Sequence, residues 1–506
     1  MKTQTQHELH QQAIAKAERF VGQTLRGAKD DPHRLAYHVS PPVQWMNDPN
    51  GLIHYNGEYH LFYQYNPYSQ QWGDIHWAHV KSSDLVRWER LPIALAPSES
   101  YDVNGCFSGS AVEYDGKLYL FYTANIFTTP VGIPDDLIQQ QCVAVSEDGG
   151  VTFEKLPNNP VIPAPPAHIG QTNHFRDPKV WQHEGTWYMV LGAKKDGRGK
   201  VLVYTSQDLL TWEYRNVLTE SDGTMGYMHE CPDLFPLGGQ DVLLISPEGV
   251  EAPRLSGYYV GQFDHGACQY AHGPFRKLDY GFDFYAPQTF LDARGRRILF
   301  GWMPMDGKAL GKDWAGSMTL PRELSLAEDG RLRMQPVEEL QSLRGRHIAS
   351  GELTVADGEL RSVPGIEGDC VELIVAFDLA KSDARELGLR VRSSADGSEY
   401  TAIRYDLAAK TLSFDRTRSG AGEAGVKSCT VEHLSGDGDT LTLRVFLDRS
   451  TVELFANEGD YVMSGFVFPK PDSRGIQVYA AGGTAVVRGM EFWELEDVSA
   501  SLRASI

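Results

Sequence analysis

Three carboxylates in this sequence lie in short motifs that could hold a reactive acid in place. Asp48 lies in the turn-forming run from Trp45 to Gly51, where Pro fixes φ and Gly permits a positive φ. Asp177 lies between an arginine and a proline, and Glu230 precedes a cysteine. When one such acid stays ionised and another stays protonated, the pair can act as nucleophile and proton donor. Taken singly, Asp48 and Asp177 also fit structural turns and Glu230 also fits a buried structural carboxylate, so the chemistry depends on whether the fold brings them together.

A repeated strand pattern indicates how distant acids could meet. A glycine followed by an alternating aromatic and aliphatic run recurs at Gly57, Gly116, Gly185, Gly239 and Gly295. Each occurrence is typical of a β-hairpin turn that enters an apolar strand. Ser-x-Asp turns interleave with this series and begin at Ser82, Ser146 and Ser206. Five hairpins with regular outer turns predict a five-bladed β-propeller, whose sheets surround a central channel.

The repeat predicts that the three acids share one end of that channel. Asp48, Asp177 and Glu230 each lie eight or nine residues before the glycine of their hairpin. Ser108 and Tyr285 occupy similar positions in the second and fifth hairpins. Since equivalent positions of successive blades lie at the same end of the channel, we expect the acids to converge there. Three acids in an aromatic-lined funnel indicate a glycosidase.

These motifs resemble the signature blocks of glycoside hydrolase family 32, which comprises invertases, sucrose-6-phosphate hydrolases, fructan hydrolases and fructosyltransferases. Besides the turn of Asp48, the blocks are Phe107-Ser108-Gly109-Ser110, Phe175-Arg176-Asp177-Pro178, Glu230-Cys231-Pro232-Asp233, Asp283-Phe284-Tyr285-Ala286 and the run from Trp314 to Leu324. They occur in the order of the family between about residues 40 and 325. Phe446 to Ser450, followed by Glu453-Leu454-Phe455, resembles the C-terminal β-sandwich of the family.

The resemblance implies an all-β fold, a five-bladed β-propeller followed by a C-terminal β-sandwich, with a short N-terminal helix. We expect a helical segment over residues 1–34, the propeller over 35–345 and the sandwich over 350–500, with Arg344 to Ser350 as the linker. Near-helical spacing predicts an amphipathic helix over residues 7–27, with its apolar face formed by Leu9, Ala13, Ala17, Phe20 and Leu25.

Carried over to this sequence, the resemblance implies Asp48 as the nucleophile, Glu230 as the acid/base and Asp177 as the stabiliser of the transition state. Asp48 would attack the anomeric C2 of a β-fructofuranosyl unit, and the configuration would be retained through two displacements. In such enzymes the nucleophile and the acid lie roughly 5–5.5 Å apart.

The resemblance also implies a set of residues that bind the sugar. Polar members would recognise hydroxyl groups, and aromatic members would pack on the apolar faces of the ring. The set is Trp45, Asn47, Gln64, Trp72, Phe107, Ser108, Arg176, Tyr285 and Trp302. An alternative for its aromatic members, above all Trp72 and Trp302, is that they fill the core between blades.

Several functions stay open at this level. The first is hydrolysis of sucrose to glucose and fructose, and a close alternative is hydrolysis of sucrose 6-phosphate. Fructosyl transfer to a sugar acceptor shares the covalent intermediate. A carbohydrate-binding propeller without catalysis belongs to a different class, and the presence of all three acids favours the enzyme.

The composition of the chain limits which classes of partner and which compartment are expected. Lys and Arg number 47 against 67 Asp and Glu, a net charge of −20, which disfavours nucleic acid and anionic membranes as partners. Six cysteines without framework spacing predict free thiols in a reducing compartment. A polar N-terminus and the lack of a long apolar run predict a cytoplasmic protein that acts on a small sugar, with its oligomeric state open.

The sequence gives little support for a metal or another cofactor. Its histidines form no helical i, i+4 pair of the zinc-protease type, and no Cys-x-x-Cys motif occurs. We therefore expect no metal and no cofactor. The basic run Lys194, Lys195, Arg198 and Lys200 is interpreted as a solvated loop, with contact to a phosphorylated sugar as the alternative.

Overall fold

The computed structural model describes residues 5–129, 135–251, 254–434 and 438–504. Strands dominate these residues and form seven sheets. Five of the sheets are the blades of a propeller, and the other two pack against each other as a sandwich. The predicted fold class is therefore confirmed. No helix in the described ranges is both long enough and apolar enough to cross a lipid bilayer.

The blades follow one another along the chain. The first two contain β1 (Gln44–Tyr55), β2 (Glu58–Asn66), β3 (His76–Ser82) and β4 (Glu89–Leu95), then β5 (Cys106–Tyr114), β6 (Lys117–Phe127), β7 (Leu137–Ser146) and β8 (Glu154–Lys155). The next two contain β9 (Phe175–His183), β10 (Thr186–Lys195), β11 (Arg198–Ser206) and β12 (Glu213–Glu220), then β13 (Met228–Leu237), β14 (Gln240–Glu248), β15 (Gly257–Asp264), β16 (Gln269–His272) and β17 (Arg276–Lys277). The fifth blade contains β18 (Tyr285–Leu291) and β19 (Arg297–Met303) and, after β20 (Trp314–Ala315), β21 (Ser317–Met318), β22 (Arg322–Leu326) and β23 (Leu332–Pro336).

Each blade begins with the antiparallel hairpin that the glycine pattern predicts. The five hairpin glycines all have φ between 71° and 81°, a conformation that costs glycine little because it lacks Cβ. The first strands of the hairpins, β1, β5, β9, β13 and β18, contact one another in a closed ring. This ring surrounds the channel, so residues at the starts of the five strands face a common space.

A late segment of the chain closes the ring. Strand β20 pairs in parallel with the start of β1, with Trp314 opposite Gln44 and Ala315 opposite Trp45. The amide of Gln44 also donates to the carbonyl of Asp313 at 2.7 Å. The first blade therefore combines residues that are about 270 positions apart in the sequence.

The Ser-x-Asp runs are structural turns before the outermost strands of three blades. Each serine hydroxyl donates to the following aspartate, at 2.9 Å for Ser82, 2.7 Å for Ser146 and 3.0 Å for Ser206. Each aspartate in turn accepts backbone amides of the next few residues. These carboxylates stabilise local turns.

The N-terminal helix α1 (Gln6–Gly27) agrees with the prediction in extent but differs in its buried face. Thr5 and Glu8 form a capping box at its start. The buried residues are His10, Ile14, Ala17 and Val21, whereas Leu9 and Phe20 are each 38% exposed. The predicted apolar face was thus right for Ala13, Ala17 and Leu25, which pack on the core, and wrong for Leu9 and Phe20. Burial lowers the pKa of His10, and its neutral Nε2 accepts the amide of Ala96 at 3.1 Å.

The sandwich follows a 3₁₀ helix over Glu338–Leu343. One sheet contains β24 (Arg344–Ser350), β25 (Leu353–Val355), β27 (Cys370–Asp378), β32 (Thr440–Asp448), β33 (Thr451–Ala456), β34 (Tyr461–Phe466) and β36 (Ala485–Leu495). The other contains β26 (Leu360–Arg361), β28 (Glu386–Ser393), β29 (Tyr400–Asp406), β30 (Thr411–Arg418), β31 (Val426–Thr430) and β35 (Gly475–Ala481). A short helix α2 (Ala500–Arg503) follows.

The predicted linker was wrong, because Arg344–Ser350 forms β24 and pairs with β36. The chain leaves the fifth blade through the preceding 3₁₀ helix. Exposed, charged residues on this edge strand explain why the sequence resembled a loop. The division of the chain at residues 34, 345 and 350 stays a prediction.

Two acids of the Phe446–Phe455 region join the sandwich to the propeller. The fully buried carboxylate of Asp448 accepts the amides of Ala36, Tyr37 and His38 at 2.6, 3.0 and 3.1 Å. Glu453 accepts the amide of Leu320 at 2.7 Å and the guanidinium of Arg322 at 2.6 Å. The ring of His38 bridges the two acids, at 2.7 Å from Asp448 and 2.8 Å from Glu453. These acids stabilise the interface that holds β1 and β20 in place.

Candidate active site

A pocket of about 310 Å³ lies at the starts of the inner strands and brings the three predicted acids together. Asp48, Asp177 and Glu230 all line it. Seven of the nine predicted sugar-binding residues line it as well: Asn47, Gln64, Trp72, Phe107, Arg176, Tyr285 and Trp302.

Two larger cavities lie elsewhere. One of about 470 Å³ lies between the fifth blade and the sandwich, and one of about 390 Å³ lies at the opposite end of the channel. Neither contains any of the three acids, so size does not identify the site. We base the assignment of the candidate site on the acids and their surroundings.

Irregular pairing in the inner strands positions the acids. Residues 47–48 are unpaired between Met46 and Pro49, and residues 177–178 are unpaired between Arg176 and Lys179. Such bulges turn side chains away from the regular alternation of a strand. Glu230 instead pairs with Ser246 just before the bulge of its strand at residues 231–232. The three acids therefore converge as predicted, but Glu230 is not in strict register with the other two.

Asp48 is buried and surrounded by hydrogen-bond donors. Its Oδ2 accepts the hydroxyl of Ser108 at 2.6 Å and lies 3.7 Å from the thiol of Cys231, while its Oδ1 accepts the amide of Asn47 at 3.2 Å. Burial raises the pKa of Asp48 above its ordinary value, and these donors oppose that increase. The donors also fix the direction in which the carboxylate points.

Asp177 has a left-handed backbone, with φ of 69°. Its amide donates to the hydroxyl of Thr123 at 2.9 Å, and its Oδ2 accepts the amide of Cys231 at 2.8 Å. Burial raises the pKa of Asp177 to about 6, with a further contribution from Asp48 that the charge of Arg176 opposes. The strained backbone and the two hydrogen bonds together hold this carboxyl beside Asp48.

Glu230 has both oxygens occupied by donors. Its Oε1 accepts Nε and Nη2 of Arg176 at 3.0 and 2.7 Å, and its Oε2 accepts the hydroxyl of Tyr285 at 2.5 Å. Burial raises the pKa of Glu230 to about 7, and the charges of Glu248 and Asp177 add to that increase against the opposing charge of Arg176. A carboxyl that titrates near neutral pH can both donate and accept a proton.

Arg176 connects this acid to residues that the sequence analysis did not predict. Besides Glu230, its guanidinium donates to Gln139 at 3.2 Å, to Nδ1 of His174 at 2.9 Å and to Glu248 at 2.7 Å. Burial and the charge of Arg176 lower the pKa of His174 to about 4, so its ring is neutral. Its Nδ1 accepts from Arg176, so the proton is on Nε2, which donates to Asp135 at 2.7 Å.

The two remaining predicted residues support the pocket from behind. Trp45 packs edge-on against Trp302, with ring centroids 5.5 Å apart, and its indole N–H donates to Asn47 at 3.0 Å. Ser108 holds Asp48 and also accepts a short hydrogen bond from Gln64. These contacts keep the polar side chains of the pocket in fixed orientations.

Trp72 lies at the rim rather than in the core between blades. Its side chain is 46% exposed, and it contacts Phe107 and Phe127 edge-on with centroids 5.6 and 6.3 Å apart. An exposed indole at a pocket mouth offers an apolar face to a ligand.

Five lining residues were missed by the sequence analysis: Phe127, Leu137, Gln139, His174 and Glu248. Glu248 could have been predicted from the sequence. Counting outward along the hairpin of Gly239 places Glu248 opposite Met228, and Met228 lies two residues before Glu230. Phe127, Leu137 and Gln139 lie on β6 and β7, outside any recognisable motif. Within the described residues, no group of three or more His, Cys, Asp or Glu side chains is arranged to hold a metal ion.

A propeller whose channel holds two aspartates beside a glutamic acid that titrates near neutral pH defines a glycoside hydrolase. The chain belongs to glycosyl hydrolases family 32: the N-terminal domain of that family matches residues 38–336, and its C-terminal domain matches residues 339–494.

Individual relatives cover almost the whole chain. A sucrose-6-phosphate hydrolase from Escherichia coli is 40% identical, over 97% of this chain and 100% of the relative. A raffinose invertase from Escherichia coli is 38% identical, over 91% of this chain and 94% of the relative. The solved structure of a GH32 beta-fructofuranosidase from Bombyx mori has a TM-score of 0.81 at 33% identity and covers 96% of this chain and 99% of its own.

Proposed function

We propose that this chain is a retaining β-fructofuranosidase that hydrolyses sucrose to glucose and fructose. The observation that carries the proposal is the position of Glu230, whose pKa is raised by burial to about 7, in one pocket with Asp48 and Asp177. The relatives support the same substrate class, since one Bombyx mori β-fructofuranosidase structure contains sucrose.

In the first step, Asp48 would attack C2 of the fructosyl unit as a carboxylate. The bond to the glucosyl oxygen breaks as Glu230 transfers its proton to that oxygen, and glucose leaves. The donors to Asp48, which also include Nε2 of Gln64 at 3.4 Å, would hold its oxygen toward the anomeric carbon. The product of this step is a covalent fructosyl-enzyme.

In the second step, the ionised Glu230 would take a proton from water as the water attacks C2. The bond to Asp48 breaks, β-fructose is released, and Glu230 is protonated again. Tyr285 and Arg176 would stabilise the carboxylate form of Glu230 between the two steps. Two inversions at C2 give net retention.

We propose that Asp177 accepts hydrogen bonds from fructosyl hydroxyls, which strengthen as positive charge develops on the ring. Asn47, Gln64, Phe107 and Trp302 would surround the fructosyl unit, and Trp72 would contact the sugar at the rim. Trp45 and Ser108 would act by positioning Asn47 and Asp48.

Replacement of the nucleophile tests the mechanism. We expect Asp48→Ala to lower kcat for sucrose by at least about 10⁴-fold, as removal of a catalytic nucleophile does elsewhere. Gln182→Ala, which changes a residue at the opposite end of the channel, is the control and should keep wild-type activity. Undiminished turnover by Asp48→Ala would contradict the assignment.

The stereochemistry of the product tests retention separately. We expect β-fructose to be the first anomer detected by NMR during early turnover of sucrose, before it equilibrates. Detection of the α-anomer first would contradict a covalent intermediate on Asp48.

In the same reaction at high sucrose, mostly free fructose is expected from a hydrolase, whereas fructosylated sugars would identify a transferase.

We also propose that the protein works in the cytoplasm on a small sugar. All six cysteines are free thiols, and five of them are buried, which fits a reducing compartment. Cell fractionation tests this location, and recovery of the activity outside the cytoplasm would contradict it.

A further inference from the structure

Glu248 lies beside Glu230 in the pocket, and both carboxylates accept from the guanidinium of Arg176. Its side chain ends β14 at the pocket and is 38% exposed. Its Oε2 lies 2.7 Å from Nη2 of Arg176, and the same nitrogen lies 2.7 Å from Oε1 of Glu230. If Glu230 protonates the departing glucosyl oxygen, as the proposed function requires, its closeness to Glu248 places the Glu248 carboxylate near the glucosyl unit as well.

Glu248 carries a negative charge at neutral pH. Burial opposes its ionisation, but the charge of Arg176 and a hydrogen bond from Tyr227 outweigh burial and lower the pKa of Glu248. The carboxylate is therefore a permanent anion beside the glucosyl position.

Three described cations near this position, Arg176, Lys194 and Lys200, are already paired. Arg176 is the one lining residue in the described pocket with a permanent positive charge. Its nitrogens donate to Glu230 and Glu248, and also to Gln139 and His174. Lys194 is bound by Asp135 at 2.6 Å, and Lys200 is bound by Glu220 at 3.0 Å. The basic run flanks the turn of the β10–β11 hairpin, where Lys195 donates to the carbonyl of Ala167 at 3.1 Å and Arg198 is 53% exposed. The predicted solvated loop therefore holds at the turn, whereas Lys194 and Lys200 lie in strands and are held by ion pairs.

We propose that Glu248 determines specificity by excluding a phosphorylated glucosyl unit, so that the substrate is sucrose and not sucrose 6-phosphate. The phosphate of sucrose 6-phosphate is carried by the glucosyl unit and is close to doubly charged at neutral pH. It would meet the carboxylate of Glu248 and would have to displace it to reach Arg176. This inference rests on the proposed function and specifies its substrate.

The first test compares the two substrates with the wild-type enzyme. We expect kcat/KM for sucrose to exceed that for sucrose 6-phosphate at least tenfold at pH 7 and low salt. The difference should narrow as the ionic strength rises, because salt screens the repulsion. Equal or better cleavage of sucrose 6-phosphate would overturn the inference and leave the proposed function intact, whereas cleavage of neither substrate would overturn the proposed function.

The second test removes the charge and keeps the shape. Glu248→Gln retains an oxygen that can accept from Arg176, and we expect it to raise the ratio of kcat/KM for sucrose 6-phosphate over sucrose at least fivefold, through a lower KM for the phosphorylated sugar. Glu220→Gln removes the same charge outside the pocket and should leave the ratio unchanged.

The two variants separate specificity from a structural role. If Glu248→Gln lowers both kcat/KM values equally, Glu248 only positions Arg176 and the inference is wrong. If Glu248→Gln does not fold, the wild-type salt series decides, and a substrate ratio that does not change with ionic strength overturns the inference.

Discussion

Opposing effects of burial and neighbouring charges set the pKa of Glu230 near neutral pH. Burial and the neighbouring charge of Glu248 favour the neutral acid, while Arg176 favours the carboxylate. Among the described residues, neither Asp48 nor Asp177 has an ion pair as close as that of Glu230, and Arg176 lies 4.0 Å from Asp177. The pKa of each acid is therefore determined by a different set of neighbouring charges, although all three acids line one pocket.

These balances predict a bell-shaped dependence of kcat/KM on pH. Activity requires protonated Glu230, so it should fall as the pH rises through about 7. It also requires ionised aspartates, so it should fall as the pH drops below about 6, the raised pKa of Asp177. Initial rates on sucrose from pH 4 to 9 check this, and a rate that still increases above pH 8 would contradict the role of Glu230.

At the scale of single residues, motifs predicted the three acids well because their immediate neighbours determine their local conformation. Pro and Gly define the turn of Asp48, and Pro178 follows Asp177. Gln139 and Glu248 lie outside these motifs, since their importance comes from contacts with Arg176 across blades. His174 lies two residues before Arg176, but its neighbours in the sequence do not reveal its contact with that guanidinium. Such contacts depend on how neighbouring blades are positioned relative to one another, and short motifs do not specify that arrangement.

At the scale of elements, the bulges of the inner strands and one glycine next to them set the shape of the pocket. Gly316 lies between β20 and β21 with φ of 89°. A Cβ at this position would lie 2.6 Å from the carbonyl oxygen of Met46 and 2.8 Å from Nε1 of Trp302. The glycine therefore permits the close approach of these segments.

We expect Gly316→Ala to displace Trp302, to raise KM for sucrose about tenfold and to lower stability by about 1–3 kcal/mol, because a strained backbone and a steric clash add together. Steady-state kinetics and urea unfolding measure the two effects. Gly57→Ala is a matched control: its φ is 81°, but its Cβ would meet nothing within 4 Å. It should cost stability without changing KM. An unchanged KM for Gly316→Ala would contradict the positioning role.

The spacing of residues in the sequence predicted the five hairpins, but it did not fully predict the partly exposed elements α1 and β24. Glycine spacing located all five blades, since each hairpin needs a residue of positive φ at its turn. Part of the face of α1 and the whole of strand β24 were mispredicted for a shared reason. Both are partly exposed elements, and the neighbours that pack on them determine which side is buried. His10 is buried because it accepts an amide of the first blade, which its polarity alone does not indicate.

At the scale of the whole molecule, the two domains share buried charges as well as an apolar core. One continuous cluster includes Leu320 and Phe300 of the propeller together with Phe446 and Phe455 of the sandwich. Arg322, fully buried, contacts Asp279, Glu453 and Ser464. The sandwich is therefore part of the support of the catalytic ring.

This interface predicts a loss of stability at alkaline pH. Burial alone would lower the pKa of His38, but Asp448 and Glu453 raise it to about 9. Because the folded pKa lies above the unfolded value of about 6.5, the stabilisation is complete below pH 6.5 and disappears as the pH rises through 9. We expect about 1–3 kcal/mol to be lost between pH 6.5 and 10. Thermal unfolding over this range measures it, and His38→Gln should flatten the dependence.

Removal of one charge from the interface should be costly. We expect Glu453→Gln to destabilise the protein by about 3–5 kcal/mol, because it leaves the guanidinium of Arg322 with one fewer carboxylate in a buried site. Glu494→Gln breaks an exposed pair with Arg346 and should cost less than about 1 kcal/mol. Denaturant unfolding compares the two variants, and equal costs would contradict the role of the interface.

Closure of the ring by β20 has a consequence for synthesis of the chain on the ribosome. The start of β1 is made early, but its parallel partner appears only with Trp314, and Glu453, which accepts the amide of Leu320, appears later still. At about 5–20 residues per second, roughly 14–54 s pass between synthesis of Gln44 and synthesis of its partner Trp314. During that interval the nascent propeller is an open chain of blades with an exposed edge, and this edge is the place where a chaperone would act.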